Sequence, residues 1–312
     1  MEKIITWLLE DNNPSVKYFT RKNILHERID SEEFSAILKD ITCSEPVESI
    51  LSLQNKDGWW GVNRYSFKPL YKNTFWQLYF LSLLGVKKSV DGIDKAVQLV
   101  IDNMQAKNGS FPQSSKHLGS LPCMQGIALE ILLRLGYENS DFTEKTIRFI
   151  NDLVYRNDFR CKYRQNLRCP WGITKILKAI NLIPKNNRNK KIKETINKAV
   201  NFLLNYNIVK ANYPRKNKRS KHWFMFGFPR SYQSDILEVT SAIVGVGCNK
   251  KSTNIRSALD YISSKKLEDG TWKMEFSLNG RMLVDIEVSH KPSKWVTYNA
   301  IKTLLAYNYI SL

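Results

Sequence analysis

The sequence lacks any uninterrupted apolar run near the ~18 residues that a membrane-spanning helix needs, so no segment reads as a membrane span. The apolar run within MEKIITWLLEDNNP is six residues long and hemmed in by Glu2, Lys3 and Glu10, which does not match a signal peptide. Five cysteines, an odd number without regular spacing, argue against a disulfide framework and for reduced thiols. The expected location is therefore the cytoplasm. No clear period-two alternation competes for a β-sheet. Acids are scarce, 29 against 48 bases, giving a formal net charge of +19, and nowhere do two aspartates stand together.

What the chain has instead is helical periodicity almost throughout. NTFWQLYFLSLLG (73–85) leaves nearly no polar face and reads as a helix buried on all sides, with Gly85 as its left-handed terminator. The same design returns in CMQGIALEILLRLG, CPWGITKILKAINLIP, SDILEVTSAIVGVG and SKWVTYNAIKTLLAYN. Between them lie amphipathic segments such as IDKAVQLVIDNMQ and IKETINKAVNFLLNY, each with an apolar stripe and a charged face. At the N-terminus, KIITWLLE and SVKYFTRKNILHERI form a further pair, with Asn13 as N-cap and Pro14 at the first helical position. Inner helices are expected near 14–28, 72–84, 122–135, 170–182, 234–246 and 293–307. Six hairpins of this kind can close into a ring, because closure buries the apolar helices and leaves no bare terminal repeat. The expected fold is all-α, an α/α toroid forming one domain over 1–312. An open HEAT-like stack is the alternative, suggested by the hairpin at 1–30.

A short motif recurs in the polar loops between outer and inner helices. LQNKDGWWG (53–61), MQAKNGSFP (104–112) and KKLEDGTWK (265–273) share a polar turn, a glycine and an aromatic at fixed offsets, and the first two are about 50 residues apart. These stretches resemble the Gln-x-x-x-Gly-x-Trp repeats of the terpene cyclase and protein prenyltransferase superfamily, over roughly Glu45 to the C-terminus. The first copy matches in full as Gln54, Gly58 and Trp60. The second has Phe111 in the tryptophan place and the third Lys266 in the glutamine place, while YRNDFRCKY and YNIVKANYP have lost the glycine. The ending HKPSKWVTYNAIKTLL also resembles short bacterial prenyltransferase-like toroids. The motif itself is architectural: glycine permits the left-handed turn, the ring packs over it, and glutamine serves unpaired backbone groups at helix ends.

The family's chemistry does not carry over. The Asp-x-Asp-Asp acid of class II terpene cyclases is absent, as is the Asp-x-Cys zinc pair of the protein prenyltransferases. The nearest acids are Asp235 and Glu238, three apart at an inner-helix start, where both could face a cavity or simply cap the helix from Ser234. Asp285 and Glu287 are a second pair. Cys123, Cys161 and Cys169 precede or begin neighbouring inner helices, and His222 (with His290 as a substitute) lies before the next. Three thiols and an imidazole suit tetrahedral zinc, although the spacing matches no compact zinc signature and small buried thiols would look the same. Trp76, Tyr79, Trp171 and Trp295 are the candidates for lining a cavity that holds an isoprenoid or another apolar or anionic ligand.

Three functions stay open. The chain is an enzyme of terpenoid or prenyl type, or a non-catalytic toroid holding a lipid, peptide or partner protein. The third is a nucleic-acid binder acting through the basic stretches KNNRNKKIKETINK and KANYPRKNKRSK in 185–221.

Overall fold

The computed structural model describes residues 1–61, 67–112, 121–215, 218–247 and 252–312. Helices dominate. Four lie at the N-terminal end: α1 (Glu2–Leu8), α2 (Pro14–Asn23), α3 (Ser31–Thr42) and α4 (Glu45–Ser52). Then come α5 (Thr74–Leu84), α6 (Ile93–Met104), α7 (Pro122–Leu135) and α8 (Asp141–Asn157). The remainder are α9 (Pro170–Ile180), α10 (Lys190–Leu204), α11 (Ile236–Gly245), α12 (Thr253–Ser264) and α13 (Lys294–Ala306). Among the described residues the only sheet is a hairpin of β1 (Arg160–Cys161) and β2 (Leu167–Arg168), antiparallel, with Cys161 opposite Leu167.

The expected inner helices α2, α5, α7, α9, α11 and α13 all form, within a few residues of their expected bounds. The first is the exception. It ends at Asn23 rather than residue 28, because HERID supplies no apolar stripe and His26 turns left-handed at φ +55°. All eleven residues of α5 are buried, as its unbroken apolarity requires. The helices α3 and α4 were not anticipated. Both are short, capped by Asp30 and preceded by Ser44 respectively, and both fill the space between α2 and α5.

Neighbours follow chain order. α5 packs on α7, α7 on α9, α9 on α11, and α11 on α13. The last inner helix then meets the first: α13 packs on α2, and Asn23 Nδ2 donates to Tyr298 Oη at 2.8 Å. The amphipathic helices α6, α8, α10 and α12 each lie against the inner helix beside them. The tightest crossing is α7 on α9. A Cβ on Gly126 would come within 2.5 Å of the Lys175 carbonyl carbon, and one on Gly172 within 2.6 Å of Pro122 Cβ. Only glycine lets these two backbones approach so closely.

The repeated motif is a hydrogen-bonded latch. Trp60 Nε1 donates to Ile50 O at 2.6 Å, and its backbone N–H donates to Thr74 Oγ1 at 3.1 Å. Trp272 repeats the pattern with Ile262 O at 2.7 Å and Thr297 Oγ1 at 2.9 Å. Phe111 has no ring N–H, and Gln125 takes over by gripping both its backbone N–H and its carbonyl. The glutamines reach forward. Gln54 Nε2 donates to Gly92 O at the head of α6, and Gln105 Nε2 to Phe142 O in the first turn of α8. In the last copy a Cβ on Gly270 would lie 2.5 Å from Ile4 Cδ1, so that turn meets α1 instead.

Two eroded copies keep the shape without the glycine. Gly58, Gly109 and Gly270 have φ between +86° and +95°, and the equivalent Phe159 and Ala211 are also left-handed, at +58° and +46°. Tyr213, two residues after Ala211, donates its Oη to Leu203 O, ten residues back, as Trp60 and Trp272 do to theirs. Cys161 occupies the tryptophan place of the other eroded copy. An alanine in this conformation costs about 1–2 kcal/mol, so the turn is held by its surroundings.

Candidate functional site

Cys161 and Cys169 are hydrogen-bonded to each other, and Cys123 is close enough to interact electrostatically with them. Cys123 stands in the first turn of α7, Cys169 is the residue before α9, and Cys161 lies in β1. All three are buried and unoxidised. Burial pushes the Cys123 thiol up to about 12. The Cys161 thiol is lowered, first by a hydrogen bond from Cys169 and then by the N–H groups of Tyr163 and Arg164, against the opposing effect of burial. Cys169, the donor of that bond, is correspondingly raised.

His222 does not join them. Its Nδ1 pairs with Gln233 Oε1 at 3.2 Å and its ring lies 4.7 Å from that of Phe276. Among the described residues no three His, Cys, Asp or Glu side chains are grouped to hold a metal ion. The expected zinc set is therefore not assembled, and no chemistry is routed through a metal. His290 is left-handed, and its backbone N–H donates to Met274 O.

Asp235 and Glu238 take structural positions. Asp235, not Ser234, caps α11, its Oδ1 accepting from Glu238 N at 2.7 Å while Oδ2 lies 3.4 Å from Arg230 Nε. Burial raises its carboxyl and Arg230 only partly compensates. Glu238 closes a chain of buried charges across three inner helices. Lys175 Nζ lies 2.7 Å from both its carboxylate oxygens, and Lys178 Nζ bridges Glu238 Oε1 (3.0 Å) to Glu130 Oε1 (3.3 Å). Arg134 completes the row at 2.7 Å from Glu130. Burial alone would raise Glu238, but Lys175 and Lys178 outweigh it and hold the carboxyl near 2. Glu130, Lys175 and Lys178 were missed in the sequence. The available signal was a lone charge inside an apolar helix, as in IALEILL and GITKILKA. The second acidic pair is also occupied, Asp285 by Gly280 N and Glu287 by Ser293 Oγ.

The four aromatic candidates do not share a cavity. Trp76 and Tyr79 are fully buried among Tyr71, Phe75 and Phe80, with Trp76 Nε1 donating to Phe67 O. Trp295 stacks on Phe228 at 4.0 Å and borders a groove of about 710 Å³ beside α2, α3 and α4. Trp171 faces a different opening, in which the charged lining is of one sign.

That opening is a pocket of about 280 Å³ at the start of α9. One wall is the β1–β2 hairpin, with Tyr163 and Arg164. The other comes from residues 211–215 and 218–223, with Tyr213, Arg215, Lys218, Arg219 and Trp223. No carboxylate lines it among the described residues. Arg164 ties the walls together through Nη2 to Pro214 O at 2.6 Å, while its buried Nε has no hydrogen-bond partner among the described residues. Gln165 and Ala211, both left-handed, also border it. The basic stretch thus divides. Lys190, Lys191 and Lys193 lie on the exposed face of α10, whereas Arg215, Lys218 and Arg219, also exposed, stand at the pocket; Lys216 and Asn217 lie outside the described residues.

No family model matches the chain, and no curated protein matches it. Among solved structures it is similar to a variant of the type II terpene cyclase MstE from Scytonema in complex with geranylgeranyl dihydroxybenzoate. That likeness has 9% identity and a TM-score of 0.35, covering 99% of this chain and 100% of that one. A second variant, in complex with merosterolic acid A, gives 9% and 0.35 over 98% of each chain. The apo enzyme gives 10% and 0.32 over 86% and 97%. A likeness this distant transfers no site residue.

Proposed function

We propose that residues 1–312 form one α/α toroid of terpene cyclase-like build, working as a binding protein for a small organic anion with an apolar or aromatic body. The run of inner-helix neighbours from α5 to α13, with α13 on α2 and with α3 and α4 between α2 and α5, supports the ring. The observation that carries the function is the rim pocket, where, among the described residues, four cationic side chains and four aromatic ones converge without a carboxylate. Like charges gathered without counter-ions repel one another, and an anion relieves that repulsion.

A binding role fits the geometry better than alkene protonation or prenyl transfer. Asp235 is spent on a helix cap and an ion pair, and Glu238 is held ionised, so neither is poised as an acid. The test is native mass spectrometry and thermal shift of the purified chain against a panel of organic anions. Binding that is lost in Arg219→Glu, an exposed position, supports the reading. Binding that is indifferent to Arg219→Glu, or no binding to any anion, refutes it.

A further inference from the structure

The rim pocket has walls of two kinds, and together they describe one ligand class. The apolar part is mainly π-surface: Tyr163 from the hairpin, Trp171 from α9, and Tyr213 and Trp223 from the opposite segment. Tyr213 and Trp223 are locked in place, the first by its bond to Leu203 O and the second by Nε1 to Ile208 O at 2.9 Å. Tyr163 is two-thirds exposed and stands at the mouth. Aliphatic lining is confined to Leu167, Pro170 and Ala211. Such walls suit a flat ring better than a flexible hydrocarbon chain, since every planar π-face can stack on them.

The charged part exceeds what a carboxylate needs. Three guanidinium groups, Arg164, Arg215 and Arg219, and the ammonium of Lys218 share one opening. Arg215 and Arg219 each donate one Nη1 to a nearby carbonyl, of Ala211 and Lys210, which orients the fork and leaves its other N–H groups to serve a ligand. Guanidinium forks match the oxygens of a phosphate, and several of them suit its double charge. Gln165 on the hairpin and Ser220 on the opposite wall add neutral donors and acceptors of the kind that read the edge of a base.

We infer that the rim pocket is a nucleoside-phosphate site, with the base against the aromatic wall and the phosphate on the arginine rim. This rests on the rim-pocket reading above. The ligand is a free nucleotide or one unit of a single strand.

The experiment is a titration of the full chain, followed by the tryptophan fluorescence of Trp171 and Trp223. Its probes are the four nucleoside 5′-monophosphates, the matching nucleosides, inorganic phosphate, farnesyl diphosphate and an eight-nucleotide single strand. At least one nucleotide is expected to bind, with affinity reduced ten-fold or more when the phosphate is removed. Tyr163→Ala, at an exposed position, should weaken binding by about 5- to 150-fold, the range for one base–aromatic stack. Arg219→Glu should abolish it. A strand that binds ten-fold tighter than any monophosphate, with a steep salt dependence, identifies the strand as the source; equal affinities identify the free nucleotide. Inorganic phosphate or farnesyl diphosphate binding as tightly as every nucleotide overturns the nucleoside assignment and leaves the anion pocket standing. No probe binding, with no anion of the wider panel binding either, overturns both.

Discussion

Replacing Trp60 by alanine tests whether the repeated motif is a latch or a ligand-facing ring. Trp60 is fully buried, and its indole N–H meets Ile50 O at 2.6 Å. Removing a buried ring of this size costs about 3–5 kcal/mol, and the bared Ile50 carbonyl adds roughly 1 kcal/mol. With an unfolding entropy of ~2.1 cal/mol/K per residue, a chain of 312 residues loses about 1 °C of Tm for each ~0.7 kcal/mol. The expected fall is about 6–9 °C, read by far-UV circular dichroism. Trp60→Phe keeps most of the ring and loses the donor, so it should fall by about 2–4 °C for a lost hydrogen bond of ~1–3 kcal/mol. The half-buried neighbour Trp59 is the control, and Trp59→Ala should cost less than half as much. A Trp60→Ala midpoint within about 1 °C of the parent would refute the latch.

Ala211→Gly should stabilise the chain by about 0.5–1 kcal/mol, the left-handed penalty less the extra freedom of glycine when unfolded, seen as a higher urea midpoint. Glu238→Gln should destabilise by about 3–5 kcal/mol, because it strands the buried Lys175, and chemical denaturation measures this directly. Because the Glu238 carboxyl is depressed from its usual 4.5 to about 2, its stabilisation is present above pH 4.5 and drains away between pH 4.5 and 2. The Glu238→Gln variant should therefore show a flatter loss of stability over that window. Treatment with a strong chelator should leave the melting curve unchanged, and a Tm drop accompanied by released zinc would restore the four-ligand site.

The inner helices were legible because burial on all sides leaves a mark on every residue; α5 and α7 begin and end within two residues of expectation. Short helices such as α4 leave no such mark, and their role in filling the space before α5 depends on a neighbour that sequence does not reveal. The placing of Cys123, Cys161 and Cys169 at or before the starts of α7 and α9 followed from the order of the apolar segments. The orientation of His222 did not, since Gln233 and Phe276 claim its ring. For Glu238, the sequence showed a carboxylate at a helix start. Its partner Lys175 stands 63 residues away, so the choice between acid catalyst and ion pair was open. The basic run of 210–221 was plain in the sequence, but that Arg215, Lys218 and Arg219 border one pocket with Arg164 depends on a hairpin some 50 residues earlier.

The glutamine latches run one way. Gln54 and Gln105 each fasten a hairpin to the next one along the chain, whereas the last copy has Lys266 in the place of the glutamine. Its turn closes on Ile4, while Lys294 reaches Glu10 and Asn12 and Asn23 reaches Tyr298. Elsewhere, separating two neighbours means stretching the loop that joins them. At this one join only side chains resist, so the molecule behaves like a belt with its buckle between α13 and α1–α2. Amide exchange should enter there first, and it should reach the glycine-sealed crossing of α7 on α9 last.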